Sequence, residues 1–265
     1  MEIIQITDSA SILVSLFFFA LGSLFDLKTR EVDDRVWLIY GPIGVSLTIL
    51  RLFTDPSQLL LTIVSIIVTT LISFGLFYFG LYGGADAKAI ICLGLTIPLV
   101  PSASKPLIGY LHPLFPVVVT LTGFISSASI AVWFAVRNSL TYARIGNRMF
   151  EGLESEPHWK KVVAILTGYP SEVSKLRSTF YLYPMEKIIE GTNTPHRSFN
   201  LYFGAETDRE LEVSKFTESL SKLDYRGKVW VTPGLPMLLF ILVGLIITLI
   251  LGDVVFSTVF LLARR

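Results

Sequence analysis

The sequence predicts an all-α polytopic membrane bundle of six transmembrane helices, with a small cytoplasmic α+β insert between helices 5 and 6. Three observations carry this. The chain has 265 residues, 52% of them hydrophobic, and a mean hydropathy of +0.64. Only 16% are charged, against about 25% in an average soluble domain. The apolar residues gather into runs at 9–26, 36–52, 59–80, 86–101, 113–136 and 235–258, each approaching the ~20 residues that a helix needs to cross a hydrocarbon core about 30 Å thick.

Each run is apolar on all sides, which excludes amphipathic surface helices. Before the first, Met1 to Asp8 carries Glu2 and Asp8 but neither Lys nor Arg, so the segment lacks the basic start of a secretory signal and the run is expected to be a retained span. Gly22 and Ser23 on the first span, and Gly75 and Gly80 on the third, permit close approach of helix backbones. The fourth span is the shortest and contains Gly94 and Pro98. Such a helix needs neighbours to satisfy its freed backbone groups and is expected inside the bundle. Cys92, the one cysteine, lies in this run, so an intramolecular disulfide and a cysteine-based zinc site are both excluded.

Residues 1–136 thus hold helices 1–5, residues 137–232 form the soluble insert, and residues 233–265 hold helix 6 and the C-terminus. The insert has 14 basic and 12 acidic residues and is too balanced to be a charged tail. Leu140–Leu153 and Trp159–Leu166 have helical spacing. Gly168-Tyr169-Pro170 marks a break, and Thr179–Tyr183, Phe199–Phe203 and Lys228–Val231 read as short strands. The run Val231-Thr232-Pro233-Gly234-Leu235-Pro236 leads into the last span, with proline tolerated in its first turn.

Loop charge sets the orientation. With the N-terminus outside, Lys28, Arg30, Arg35, Lys88 and the membrane-proximal Arg137, Arg144, Arg148, Lys222, Arg226 and Lys228 are cytoplasmic, as the positive-inside rule requires. Arg51, Lys105, Arg264 and Arg265 remain outside, the terminal pair being the one contrary signal. The net charge of +1 provides no field for nucleic acid; lipid is the expected environment.

In this topology Asp26 ends the first span and Asp86 begins the fourth, on the same membrane side. Carboxylates at the ends of apolar helices are functional candidates. Two that face one another in a partly dry site share a proton, so that one serves as base toward water and the other as acid toward a carbonyl oxygen. The competing reading is structural, with Asp26 as a solvated helix end and Asp86 as a helix cap. Gly83 and Gly84 before Asp86 leave room for an extended backbone to come near. Lys28 and Arg30 either steady an ionised pair or mark the cytoplasmic side. Lys88, two residues from Asp86, falls on another helix face. Asp33 and Asp34 read as a polar turn, Asp253 lies at the other end, and the scattered His112, His158 and His196 form no metal site.

Gly83-Gly84-Ala85-Asp86-Ala87-Lys88-Ala89-Ile90 resembles the GxGD segment of the prepilin peptidases, which are membrane aspartic proteases. Asp26-Leu27-Lys28-Thr29-Arg30-Glu31-Val32-Asp33-Asp34 resembles that family's other catalytic stretch. The separation of about 60 residues, six spans and an insert before the last span are most similar to the archaeal branch, the preflagellin and archaeal prepilin peptidases. Ala85 departs from the pattern, standing where the family usually has a second glycine. The resemblance implies that Asp26 and Asp86 are catalytic, with Gly83, Gly84, Ala85, Lys28, Arg30 and Lys88 in binding or supporting roles. It also implies no metal and no cofactor, archaellin or type IV pilin-like precursors as substrates, and a site near the cytoplasmic face. Presenilin-like proteases have a Tyr-Asp pair where this chain has Phe25-Asp26, and typically nine spans. A proton- or cation-coupled carrier is the non-proteolytic alternative.

Overall fold

The computed structural model describes residues 2–104, 107, 112–189, 196–201, 209–223, 225 and 227–263. Its first half is helical: α1 (Glu2–Thr29), α2 (Asp34–Thr54), α3 (Leu59–Tyr78), α4 (Gly84–Thr96) and α5 (Phe115–Ile145). There follow α6 (His158–Thr167), β1 (Tyr169–Glu172), α7 (Val173–Ser178), β2 (Leu182–Pro184), β3 (Glu186–Ile189), β4 (His196–Phe199), α8 (Arg209–Lys222) and β5 (Lys228–Pro233). The chain closes with α9 (Met237–Leu251) and α10 (Val254–Ala263). Two compact units result, one of Met1–Ser127 with Pro236–Arg265 and the other of Ala128–Leu235.

Among the described residues, four helical stretches are long and apolar enough to cross a membrane: Ile3–Thr29, Asp34–Thr54, Pro56–Tyr78 and Phe115–Phe150. The runs expected as spans at 86–101 and 235–258 form shorter helices. α4 has 13 residues, about 20 Å at 1.5 Å per residue. It stops because Pro98 bars Ile97 from helical geometry, and Ile97 takes φ −130° and ψ 69°. α9 stops at Gly252, whose φ of 96° only glycine adopts without strain. Asp253 then starts α10 by accepting the Phe256 N–H at 2.9 Å.

Small and hydroxyl residues bring the helices of the first unit together. On α3, Thr62, Ser65, Thr69 and Ser73 are all buried and recur every three to four residues, one stripe of a helix. Ser73 donates to Ala87 O at 2.7 Å and Ser65 to Pro98 O, so α3 grips both ends of the α4 segment. α2 holds the other flank, with Thr48 donating to Leu95 O at 2.7 Å. A Cβ on Gly44 would lie 2.0 Å from Thr96 Oγ1, and one on Gly244 of α9 would lie 2.5 Å from Val119 O of α5. Around these contacts Phe19, Tyr40, Ile90, Leu93, Phe115 and Ile241 form a core with no exposed surface.

Arg51 is not the solvent-facing loop charge that the hydropathy reading assumed. Its Nη1 lies 3.2 Å from Asp8 Oδ1, and the two side chains are 9% and 2% exposed. The guanidinium also donates to Val100 O at 3.1 Å, and Asp8 Oδ2 accepts from the N–H and hydroxyl of Ser102, both at 2.6 Å. A buried ion pair, hydrogen-bonded further through both Nη atoms of Arg51 and through Asp8 Oδ2, thus ties the start of α1 to the end of α2 and to the chain leaving α4.

The second unit is α+β. β5 lies between β1 and β2, both antiparallel to it, with Tyr169 opposite Val231 and Tyr183 opposite Thr232. β3 and β4 form a separate antiparallel pair. Successive side chains of β5 enter opposite cores, Val229 and Val231 with Leu176 and Phe216, and Trp230 with Phe150 and Phe199. The strand expected at Lys228–Val231 is β5, and that at Thr179–Tyr183 begins later, as β2. Of Phe199–Phe203, Phe199 ends β4, whereas Tyr202 and Phe203 lie outside the described residues, as do Lys105, Arg226, Arg264 and Arg265. Leu140–Leu153 splits between the end of α5 and a 3₁₀ turn at Gly146–Phe150.

Removing one partner of a buried ion pair leaves the other uncompensated, at about 3–5 kcal/mol. Arg51→Met should therefore lower the melting temperature of the detergent-solubilised protein strongly. The double variant Asp8→Leu/Arg51→Met should recover most of the loss.

Candidate active site

The site is built from the last turn of α1 and the first turn of α4. α1 closes with Thr29, whose hydroxyl donates to Phe25 O at 3.0 Å. Arg30 then turns left-handed, with φ 60°, and donates its N–H to Asp26 O at 3.1 Å. Glycine normally fills such a capping position, and a side chain there costs about 1 kcal/mol. In this chain it brings Nη1 of Arg30 to 3.7 Å from Asp26 Oδ1. Asp26 is 14% exposed at its side chain, and the backbone amide of Leu238, near the start of α9, faces it. Its Oδ2 is buried without a hydrogen-bond partner among the described residues.

On the α4 side, the chain leaves α3 through Gly80, with φ 68°. Leu76 O accepts the N–H groups of Leu81 and Tyr82 at 2.9 and 3.2 Å, which folds the turn tightly. Gly83 is the extended N-cap of α4, with φ −76° and ψ 167°. Asp86, 9% exposed, reaches back so that its Oδ2 accepts the Gly83 N–H at 2.9 Å. This is half a capping box; glycine has no side chain to return the bond. The free N–H groups and dipole of the helix start also favour negative charge here.

Asp86 lies within reach of the charges of both Asp26 and Arg30, and the Tyr82 phenol lies within reach of Asp86. Side chains from the end of α1, from the α3–α4 turn and from the start of α4 therefore share one electrostatic neighbourhood. Two carboxylates in apolar surroundings, with one guanidinium acting on both, can hold and pass a proton.

The other candidates fall around this centre. Gly83 and Gly84 are exposed, and neither uses a positive φ. A Cβ on Gly83 would lie 3.3 Å from Asp86 Oδ2, whereas one on Gly84 would meet only the Phe77 ring, at 3.8 Å. Ala85 is helical and packs on the core, so alanine is compatible with the backbone at the position where it departs from the family pattern. Lys28 is exposed. Lys88 pairs with Asp34, the first residue of α2, at 2.6 Å, and Asp33 caps that helix by accepting the Arg35 N–H at 2.8 Å. His112 packs on Phe256, away from either aspartate, and Asp253 accepts its N–H. No group of three or more His, Cys, Asp or Glu able to hold a metal occurs among the described residues.

Sequence reasoning missed Tyr82, Asp34 and the Leu238 amide. Tyr82 precedes the glycine pair directly, and that adjacency was the available signal; Asp34 and Leu238 are joined to the site only by folding.

A model described as the type IV leader peptidase family matches residues 13–136, the stretch that holds both aspartates. The chain belongs to the type IV leader peptidase family. A second model, archaeal peptidase A24 C-terminus type II, matches residues 160–254, covering most of the second unit and α9. The preflagellin peptidase of Methanocaldococcus jannaschii is 27% identical over 240 residues, 88% of this chain and 90% of that protein. That of Methanococcus voltae is 25% identical over 256 residues, 93% and 97% of the two chains. That of Methanococcus maripaludis is 24% identical over 240 residues, 88% and 91%. With its long apolar helices, this leader peptidase family member is a membrane protein and a peptidase.

The geometry of the α4 start makes opposite substitutions costly for different reasons. Gly83→Ala should lose about 0.5–1 kcal/mol although alanine is the better helix former, because it is a poor N-cap and crowds Asp86. Ala85→Gly should lose about 1 kcal/mol through helix propensity alone. Lys88→Met should change stability by less than about 1 kcal/mol, as an exposed pair does. Thermal melts in detergent would rank the three.

Proposed function

We propose that this protein is a membrane aspartic endopeptidase that removes the short basic leader, a class III signal peptide, from archaellin or type IV pilin-like precursors. The observation that carries the reading is the meeting of Asp26 and Asp86 in one electrostatic neighbourhood, within a chain of the leader peptidase family. The relatives bear the name preflagellin peptidase over nearly their full length, which supports a precursor with a leader as the substrate.

A water between the carboxylates loses a proton to one of them and attacks the scissile carbonyl, while the other acts as acid. No metal takes part, and no acyl-enzyme forms. Asp26 Oδ2 has no hydrogen-bond partner among the described residues, leaving it free to accept from that water. Arg30 offsets the charge of the pair. The exposed Gly83 and Gly84 admit the extended backbone of the substrate, beside the helical Ala85. Lys88 holds α4 to α2 through Asp34, and the exposed Lys28 meets lipid phosphate or the substrate.

In the orientation with the N-terminus outside, both aspartates lie near the cytoplasmic face of the cell membrane. We assign six membrane-embedded helices, α4 being about two thirds of a bilayer core in length and enclosed by its neighbours. The substrate then presents the junction of its basic leader and its apolar helix to the site, and removal of the leader frees that helix for assembly.

Purified protein in detergent, incubated with leader-bearing precursors, should release a leader whose cut site is located by mass spectrometry. Asp26→Asn and Asp86→Asn should each lower cleavage by at least about 10²-fold, the usual scale for a general acid or base. Unchanged cleavage by either would remove that aspartate from the chemistry, and Asp86-dependent ion uptake without cleavage would favour a carrier. Arg30→Gly, which suits the left-handed backbone, should preserve folding and lower turnover about 10-fold by removing roughly 1.4 kcal/mol of charge stabilisation.

A further inference from the structure

Tyr82 is 2% exposed, and its hydroxyl is buried without a hydrogen-bond partner among the described residues. A buried hydroxyl left unpaired is a standing cost that phenylalanine would not incur. The fold supplies its own comparison in Tyr40. That ring is equally enclosed, at 0% exposure, but its hydroxyl donates to Ser15 at 2.8 Å. Tyr40 is an ordinary core tyrosine with its polar end satisfied, and Tyr82 is not.

The position of Tyr82 is held from several sides. Its N–H is bound to Leu76 O, its ring lies 6.4 Å from that of Phe124 on α5, and it belongs to the core that includes Ile90 and Leu93. The chain after it runs directly into Gly83 and the Asp86 turn. Asp86 is close enough to act on the phenol, yet one of its oxygens is already occupied by the Gly83 N–H and neither takes the hydroxyl as donor. The unused O–H therefore belongs to the residue directly before the Gly83 N–H that holds Asp86, within electrostatic reach of the carboxylate at which, in the proposed reaction, the peptide bond is attacked.

We propose that Tyr82 is a catalytic residue of this site, its hydroxyl donating a hydrogen bond to the oxygen of the scissile carbonyl as that oxygen gains charge. This rests on the reading of Asp26 and Asp86 as the catalytic pair. When the water oxygen bonds to the carbonyl carbon, the C=O π pair moves onto oxygen and the water proton goes to a carboxylate. Tyr82 keeps its own proton throughout. On collapse the C–N bond breaks, the oxygen returns its pair to carbon, and the leaving nitrogen takes a proton from the pair. A fixed donor aimed at an oxygen that becomes negative only in the transition state acts most strongly where water is excluded, and its worth appears in turnover more than in binding.

Tyr82→Phe, Tyr40→Phe, Asp26→Asn and Asp86→Asn are compared in detergent on one leader-bearing precursor, with kcat, KM and melting temperature recorded for each. Removal of one such donor costs about 10²–10³-fold in turnover. Tyr82→Phe is expected to lose that much in kcat, with KM within about threefold and no fall in melting temperature. Tyr40→Phe is expected to melt lower and to keep its kcat. Inactive aspartate variants together with wild-type kcat in Tyr82→Phe would overturn the proposal alone. Active aspartate variants would overturn the catalytic pair, and the proposal with it. Should Tyr82→Phe fail to fold, 3,5-difluorotyrosine at this position preserves the shape and makes the donor more acidic; an unchanged kcat would overturn the proposal, and a changed one would support it.

Discussion

Keeping Asp86 at 9% exposure, at the head of a helix whose one other charge is the outward-paired Lys88, is the constraint around which the first unit is arranged. An ionised group in such surroundings is tolerated only if donors and opposite charge are close at hand. The protein supplies them locally. Gly83 gives its N–H, the start of α4 gives its free amides, and Arg30 reaches across from the end of α1. Arg30 can do so because it accepts a left-handed backbone, which aims its side chain back over the last turn of its own helix. The strain of one residue is thereby exchanged for charge beside two carboxylates.

The same constraint explains the shape of α4. A helix that begins with a charge and ends before Pro98 cannot span a bilayer core unaided, so neighbouring helices have to hold it. In lipid the hydrophobic effect does not drive helices together, and close packing and interhelical hydrogen bonds take over. That is what Ser65, Ser73 and Thr48 provide, each donating to a carbonyl of the α4 segment or its exit. Gly44 and Gly94 permit the approach, a Cβ on either falling within 3.0 Å of Thr96 or Thr69. These bonds attach to backbone rather than to side chains, so they fix the axial position of α4 and hence the depth of Asp86.

Hydropathy made the apolar runs legible, and the two aspartates stood out because charge is costly at their positions. The glycine pair before Asp86 was legible for the same reason, since no apolar packing demands it. What could not be read from the sequence were features decided by pairing across it. Arg51 counts as a loop charge until Asp8, 43 positions earlier in the chain, is seen beside it. Asp34 has no pattern that names Lys88 as its partner. α4 and α9 were read as full spans because apolarity continues past Ile97 and Gly252, where backbone geometry ends the helices. In the second unit, β1 is Tyr-Pro-Ser-Glu and β3 is Glu-Lys-Ile-Ile, too short and too polar to alternate. They are strands because β5 and β4 pair with them.

The two ends of α1 show how the unit divides rigidity from reactivity. At its start, Asp8 and Arg51 form a buried pair that also bonds to Ser102, Leu99 and Val100, with only Nε of Arg51 lacking a partner among the described residues. The opposite charges of this pair are spent on one another and on neighbouring backbone; it locks α1, α2 and the α4 exit in register. At the other end, Asp26 keeps an oxygen without a hydrogen bond, Tyr82 keeps a hydroxyl without one, and exposed glycines adjoin Asp86. Buried polar groups left unsatisfied at a functional site are the ones a substrate can satisfy. A peptide unwound for cleavage brings its own unpaired amides and carbonyls into an environment where they too are costly. In the proposed reaction enzyme and substrate would then relieve each other, with binding energy drawn from groups that neither could satisfy alone. This requires the vacant groups to stay in place when empty, which the buried ion pair and the hydroxyl grip on α4 provide.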